Sequence, residues 1–225
     1  FSTYQTLIIN DVKKDSTQRE IALPAGKIIV WANNRRKKKK VVFVQVKVSA
    51  TSTVKDASPE KDRINEYLRQ ALIELDDASD IITLEVSDST NSFNSFINGS
   101  AIKRSNGFQI LHDYLKSKLQ SRYSNLYDSH FKAFYFSESG DAGLSGYSAF
   151  GADFVVVFGG SNNQTASHEF LHSLNLPHTF DNSGEFTYEY KRTENLLDYS
   201  HHIPSQKNGR YALWYWQWKK ANNSI

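Results

Sequence analysis

Cysteine and methionine are both absent from the 225-residue chain. Without thiols there is no disulfide framework, the redox compartment is unreadable, and a bound metal must be held by imidazole or carboxylate. Proline is scarce, with four in all. No apolar run reaches membrane length and the mean hydropathy is -0.55, so no membrane span is expected and a globular chain with one sizeable core is. Strong charge of one sign is lacking too. The net charge is +3, and much of it sits in Arg35-Arg36-Lys37-Lys38-Lys39-Lys40. With no interleaved aromatics and no nucleic-acid motif, that run reads as a solvated loop, and no nucleic-acid partner is expected. The chain opens at Phe1 with no initiator Met. The expectation is a mature or trimmed piece of something longer, secreted or extracellular, of the kind that serves as the toxic or effector part of a larger protein.

Residues 1–40 read as a short β-rich segment or linker, with runs at Thr6–Asn10, Glu20–Leu23 and Lys27–Ala32 punctuated by Asp11, Asp15 and the Pro24-Ala25-Gly26 corner. Val41–Val48 is the first central strand. Ser58 is placed as the cap of a helix with Pro59 at its first position and Ile64, Leu68, Leu72 and Leu75 as its apolar stripe. A strand at Ile81–Val86 precedes a Ser- and Asn-rich loop pinned by Phe93 and Phe96. A second helix over Phe108–Tyr123 turns Ile110, Leu111, Tyr114, Leu115 and Leu119 inward. Strands follow at His130–Phe136 and Asp153–Phe158, separated by the glycine-rich stretch Gly143–Gly151. Thr165 is a candidate N-cap for the next helix. His112 and His130 read as structural, and the Trp-rich helix over Arg210–Lys220 as core. This order implies an α/β (α+β) sandwich with a mixed sheet.

The chemistry concentrates in His168-Glu169-Phe170-Leu171-His172-Ser173-Leu174-Asn175-Leu176-Pro177-His178. Residues four apart on a helix share one face, so His168 and His172 can offer two nitrogens to one zinc ion at ~2.0–2.1 Å. Glu169, beside the first ligand, is free to poise a metal-bound water. Asn175 tolerates the left-handed cap conformation and Pro177 cannot continue a helix, so the chain can turn back and present His178 as a third ligand.

This stretch resembles the signature of the metzincin zinc metalloproteases, His-Glu-x-x-His-x-x-Gly-x-x-His, and is most similar to bacterial and pappalysin-like members, with Asn175 in place of the Gly. The resemblance implies a zincin fold with a mixed twisted sheet, an active-site helix and a small, mainly helical C-terminal lobe. It covers roughly 41–220, with its strong motifs in 143–199, and implies a metalloprotease domain over 41–225 with an upper lobe over 41–178 and a lower lobe over 179–225. It also implies that Thr193–Ser200 is similar to the family's Met-turn, with Leu197 as the apolar floor under the metal and Tyr199 as a hydrogen-bond donor to the oxyanion. The glycine-rich stretch would be the edge strand that captures an extended peptide, with Gly146, Tyr147, Ser148 and Ala149 as substrate-binding candidates. A β-bulge that merely protects the edge is the alternative there. The implied activity is zinc-dependent endopeptidase hydrolysis with Glu169 as general base and Zn2+ on His168, His172 and His178. Two alternatives stay open: a thermolysin-like site with Glu194 as third ligand, and a catalytically silent binding module. The expected partner is a peptide or protein substrate, and the oligomeric state is not legible.

Overall fold

Gln5–Lys14 (β1) and Glu20–Val30 (β2) pair antiparallel along their whole length. Asp15 makes the turn between them, its Oδ1 accepting from the Thr17 backbone N (2.7 Å), the Thr17 hydroxyl (2.7 Å) and the Arg19 backbone N (3.0 Å). The Pro24-Ala25-Gly26 corner does not end a strand as expected. The register shifts there, with Gly26 opposite Ile9 and Pro24 opposite Asn10, so a bulge absorbs Ala25 and β2 runs on. A computed structural model describes residues 5–30, 34, 36–103, 108–203 and 210–225, and it divides into two units, Phe1–Arg36 and Lys37–Ile225. Ala32 and Arg35 fall outside the described residues.

The second unit holds Lys37–Lys39 (β3), Val41–Lys47 (β4), Ser58–Leu68 (α1), Ile73–Leu75 (β5), Asp80–Glu85 (β6), Ile97–Asn98 (β7), Ala101–Ile102 (β8), Phe108–Tyr123 (α2), Phe131–Gly140 (β9), Gly146–Tyr147 (β10), Phe154–Gly159 (β11), Thr165–Ser173 (α3) and Tyr215–Asn223 (α4). Its main sheet runs β10-β11-β9-β4-β6. The last four of these are mutually parallel, and β10 lies antiparallel on β11 at the edge. Parallel strands are covered on both faces, which is why β11 is apolar throughout. Val155 and Val157 join Phe43, Tyr135, Phe170 and Trp216 in the core on one face, while Val156 and Phe158 join Val44, Phe136 and Leu115 on the other.

Several expectations shift for identifiable reasons. The basic run is not a loop throughout: Lys37–Lys39 pairs parallel with β5. Ser58 is the first helical residue, not the cap, and its backbone N–H is held by Asp56 Oδ1 at 2.9 Å. The α1 stripe stops at Leu68, because Leu72 takes a left-handed φ of 56° and the chain leaves the helix. Ile110 is 50% exposed, whereas Leu111, Leu115 and Leu119 are buried. Thr165 opens α3 and Gln164 is its N-cap, without a side-chain cap bond; Asn162 shapes the approach, its Oδ1 accepting from the Gln164 backbone N (2.9 Å) and the Thr165 hydroxyl (3.1 Å). The C-terminal helix begins at Tyr215 instead of Arg210, with Trp216 buried and Trp214 and Trp218 packed on the core. His112 stacks on Phe154 (centroids 3.7 Å) and His130 Nε2 meets the Ala78 carbonyl at 3.1 Å, which places both in packing contacts away from the triad. No helix among the described residues is long and apolar enough to cross a membrane.

Candidate active site

α3 ends in a Schellman turn. The Asn175 backbone N–H reaches the His172 carbonyl at 2.9 Å and the Leu176 N–H reaches the Leu171 carbonyl at 3.2 Å. Asn175 carries the left-handed φ of 64° that this turn demands. A β-branched residue would be strained there, while Asn is tolerated. Leu176, thrown back onto the core beside Leu171, lets its carbonyl accept from His172 Nδ1 at 2.7 Å. The same turn brings His178 round to the two helical histidines.

The three imidazoles converge on one point. His172 Nε2 lies 3.0 Å from His168 Nε2 and 3.1 Å from His178 Nε2. Each Nδ1 faces an oxygen: His168 the Leu196 carbonyl (2.8 Å), His172 the Leu176 carbonyl, His178 the Asp181 carboxylate (3.1 Å). Those acceptors require the proton on Nδ1, so the Nε2 lone pairs point at one another. Three lone pairs that close repel unless a cation sits among them. Burial holds His168 well below the usual imidazole range, and the His172 and Arg210 side chains add to that. Burial, then His178, takes His172 down to about 4. Neutral, oriented, thiol-free imidazoles are the donor set of a borderline-soft divalent metal, and this triad is the one cluster of His, Asp or Glu among the described residues able to hold one. Glu194 is not part of it: its carboxylate is exposed and accepts from the Tyr211 hydroxyl.

Glu169 stands on α3 against the edge strand. Burial pushes its carboxyl up to about 8, while a hydrogen bond from the Ser148 backbone pulls the other way. The close approach depends on Gly146: a Cβ there would lie 2.9 Å from Thr165 Cγ2, 3.0 Å from the Val156 carbonyl oxygen and 3.3 Å from Glu169 Cγ. The four edge candidates divide. Tyr147 is buried in the core between Phe154 and Phe158, and Ser148 gives its hydroxyl to the Phe154 carbonyl (2.8 Å). Ala149 is exposed. What this edge offers a ligand is backbone, with β10 itself only two residues long.

Opposite lies the Leu196–Tyr199 turn, organised by the fully buried Asp198. Its Oδ1 accepts from the backbone N–H groups of Lys191 (2.9 Å) and Tyr199 (2.7 Å), and its Oδ2 from the Thr193 N–H (2.7 Å) and hydroxyl (2.8 Å). Asn195 ties the turn to α4 through Gln217 (2.7 Å). Leu197 is fully buried in the core cluster that also holds Phe170 and Leu176. The Tyr199 hydroxyl is 2.9 Å from His178 Nε2, and burial, reinforced by Glu169, raises its pKa, so it is a neutral donor. Three further residues meet the site. Arg210, 2% exposed, donates through Nη1 to the carbonyls of Asp198 (2.7 Å) and Leu196 (3.2 Å). His201, which the sequence left open between a pocket border and the solvent surface, is half-buried and lines the cavity beside His168. The exposed Phe150 sets its ring 5.7 Å from that of His172. None of them carries a spacing signal in sequence; they meet the site only through the tertiary path of the chain.

A mixed sheet with an antiparallel edge strand, a helix presenting two histidines, and a third histidine beyond a left-handed turn make up a mixed α/β fold that recurs among solved structures. Among solved structures, a promirolysin mutant from Tannerella forsythia has this fold, with a TM-score of 0.50, 12% identity, and coverage of 83% of this chain and 80% of that one. Mature mirolysin from the same organism, in complex with a cleaved peptide, gives 0.47 at 14% identity over 83% and 90% of the two chains. Metalloproteinase-II from Bacteroides fragilis gives 0.48 at 13% over 84% and 53%. No protein-family model and no curated protein sequence matches the chain.

Proposed function

We propose that the chain is a zinc-dependent endopeptidase whose catalytic domain spans 41–225, with lobes 41–178 and 179–225 on either side of the cleft. The observation that carries this is the convergence of three Nδ1-anchored imidazoles beside a half-buried carboxyl that itself touches an open sheet edge. His168, His172 and His178 would hold the ion. Zinc bound there supplies a Lewis acid for the scissile carbonyl and a water of lowered pKa. An extended peptide pairs antiparallel with the backbone around Gly146–Ala149. Glu169 accepts a proton from the attacking water and returns it to the leaving amine. Tyr199 donates its phenol to the developing oxyanion, and Leu197 supplies the apolar floor.

Glu169→Gln tests this reading. The amide keeps size and packing but cannot take the proton. Zinc content should stay at one per chain while turnover of a broad peptide mixture falls by a factor of at least ~100. Equal cleavage by both proteins would remove Glu169 from the mechanism, and a zinc-loaded wild type that cleaves nothing would favour the silent binding module.

A further inference from the structure

The two ends of the site are unlike. At one lies a cavity of about 280 Å3 whose walls among the described residues include Gly143, Ser145, His168 and Glu169, but neither His172 nor His178. Gly143 and Ser145 precede β10, so this end belongs to the approach of the edge strand. The other two histidines carry aromatic rings instead. Phe150, which follows β10, sets its ring 5.7 Å from that of His172 with an interplanar angle of 78°, and Phe180 stacks on His178 at 4.9 Å and 8°. Phe180 is half-buried, whereas Phe150 is 60% exposed.

An exposed apolar side chain says little by itself. Phe150 differs because the chain fixes its place. The Ala149 carbonyl accepts from the Ala152 N–H at 3.1 Å, and Gly151, third in that turn, takes a φ of 69°. This is a type II turn, which needs a residue tolerant of positive φ at its third position and leaves the second, Phe150, at its apex. The turn also packs on the end of α3, since a Cβ on Gly151 would meet Asn175 Oδ1 at 3.3 Å. Asn175, whose left-handed turn brings His178 round, therefore abuts the turn that holds Phe150.

Strand direction says which part of a ligand reaches this ring. Glu169 meets the edge at Gly146 and Ser148, between the cavity and Phe150 in chain order. A peptide antiparallel to β10 runs with its later residues towards Gly143 and its earlier residues towards Phe150. The cavity end thus takes the leaving-amine side, and Phe150 meets the residues before the scissile bond. We infer that Phe150 is a specificity-determining residue that selects a large apolar side chain, aromatic or branched aliphatic, at one of the two residues preceding the scissile bond. Successive residues of an extended peptide face opposite ways, so one of those two turns to the ring. An apolar side chain there takes both surfaces out of water, and an aromatic one adds an offset or edge-on ring pair; a neutral polar side chain gains neither. This rests on the peptidase reading above.

The test uses the zinc-loaded chain and a peptide cleaved at a single bond, varied to Phe, Leu, Ser or Lys at each of the two residues before that bond. At one of the two positions Phe and Leu should exceed Ser in kcat/KM by roughly 5- to 50-fold, the scale of one apolar side chain on a partly open aromatic surface. In Phe150→Ala that ratio should fall to about 1, and in Phe150→Leu the preference for Leu over Ser should persist. Each ratio is taken within one preparation, so partial misfolding does not move it. Ratios near 1 in the wild type, or a preference for Lys, overturn the inference, as does a ratio that survives Phe150→Ala. Loss of zinc in Phe150→Ala, or an equal fall for every peptide, would make the ring a support for His172 and overturn it too. Should nothing be cleaved, the peptidase reading fails by itself, and the same peptides are titrated against the wild type and Phe150→Ala by fluorescence anisotropy. Binding of the Phe peptide about 5-fold or more tighter than the Ser peptide, in the wild type alone, then supports the role of Phe150, and equal binding overturns it.

Discussion

His178 is the proposed ligand with least support, since it lies beyond α3 in a turn with its side chain 23% exposed. Asp181 is the anchor of its Nδ1: one oxygen, Oδ2, accepts from both the His178 Nδ1 and the His178 backbone N, each at 3.1 Å. Removing that acceptor frees the ring to rotate and to swap tautomers, so the Nε2 lone pair no longer points at the other two. Partners of this kind are worth 10- to 100-fold in metal affinity, or about 1.4–2.7 kcal/mol. Asp181 is itself 37% exposed, so screening by water trims the charge contribution and most of the effect is orientation. Asp181→Ala should therefore weaken zinc binding by roughly 10- to 100-fold, whereas Asp181→Asn, which keeps an acceptor oxygen, should stay within about 3-fold of wild type. The assay is competition for zinc against a chromogenic chelator at fixed pH. A thermal melt in excess zinc follows the same quantity, because a ligand that binds only the folded state stabilises by its affinity, and Asp181→Ala should melt roughly 3–10 °C lower. Unchanged zinc affinity in Asp181→Ala would refute the argument that this carboxylate positions the third ligand. An equal loss in Asp181→Asn would show that charge, not orientation, is what matters.

Tyr199→Phe keeps the ring packing around His178 and removes only the hydroxyl; kcat should fall roughly 10- to 1000-fold with KM and zinc content nearly unchanged, and a preserved kcat in a stable variant would exclude the phenol from the chemistry. Gly146→Ala forces a methyl against the Val156 carbonyl and Thr165, so denaturant unfolding should show a loss of about 1–3 kcal/mol together with reduced turnover as Glu169 is displaced. Stability within about 0.5 kcal/mol of wild type would mean that α3 and the edge strand are not locked at that distance.

Local chemistry made much of this protein readable in one dimension. The four-residue spacing of His168 and His172 fixes their common helical face whatever surrounds it, and Asn175 with Pro177 marks the turn because few residues accept positive φ and none but proline lacks the N–H. The apolar run of β11 announced a strand covered on both faces. The α1 stripe was overread because Leu72 and Leu75 keep the helical period after the backbone has left the helix; periodicity records burial, not conformation. The Pro24–Gly26 corner was misread because a bulge can absorb a residue that looks like a break.

What lay outside the reach of sequence is whatever depends on which segments meet. Asp181 and the Leu196 carbonyl become ring anchors only when the chain returns past α3, and Phe150 meets His172 only because the edge strand folds over it. Arg210 is the clearest case. Along the chain it is one basic residue among 27 Lys and Arg, with nothing in its neighbours to set it apart. Its meaning comes from burial: solvent would screen the same guanidinium to insignificance, but at 2% exposure it ties down the Leu196 and Asp198 carbonyls of the turn opposite α3.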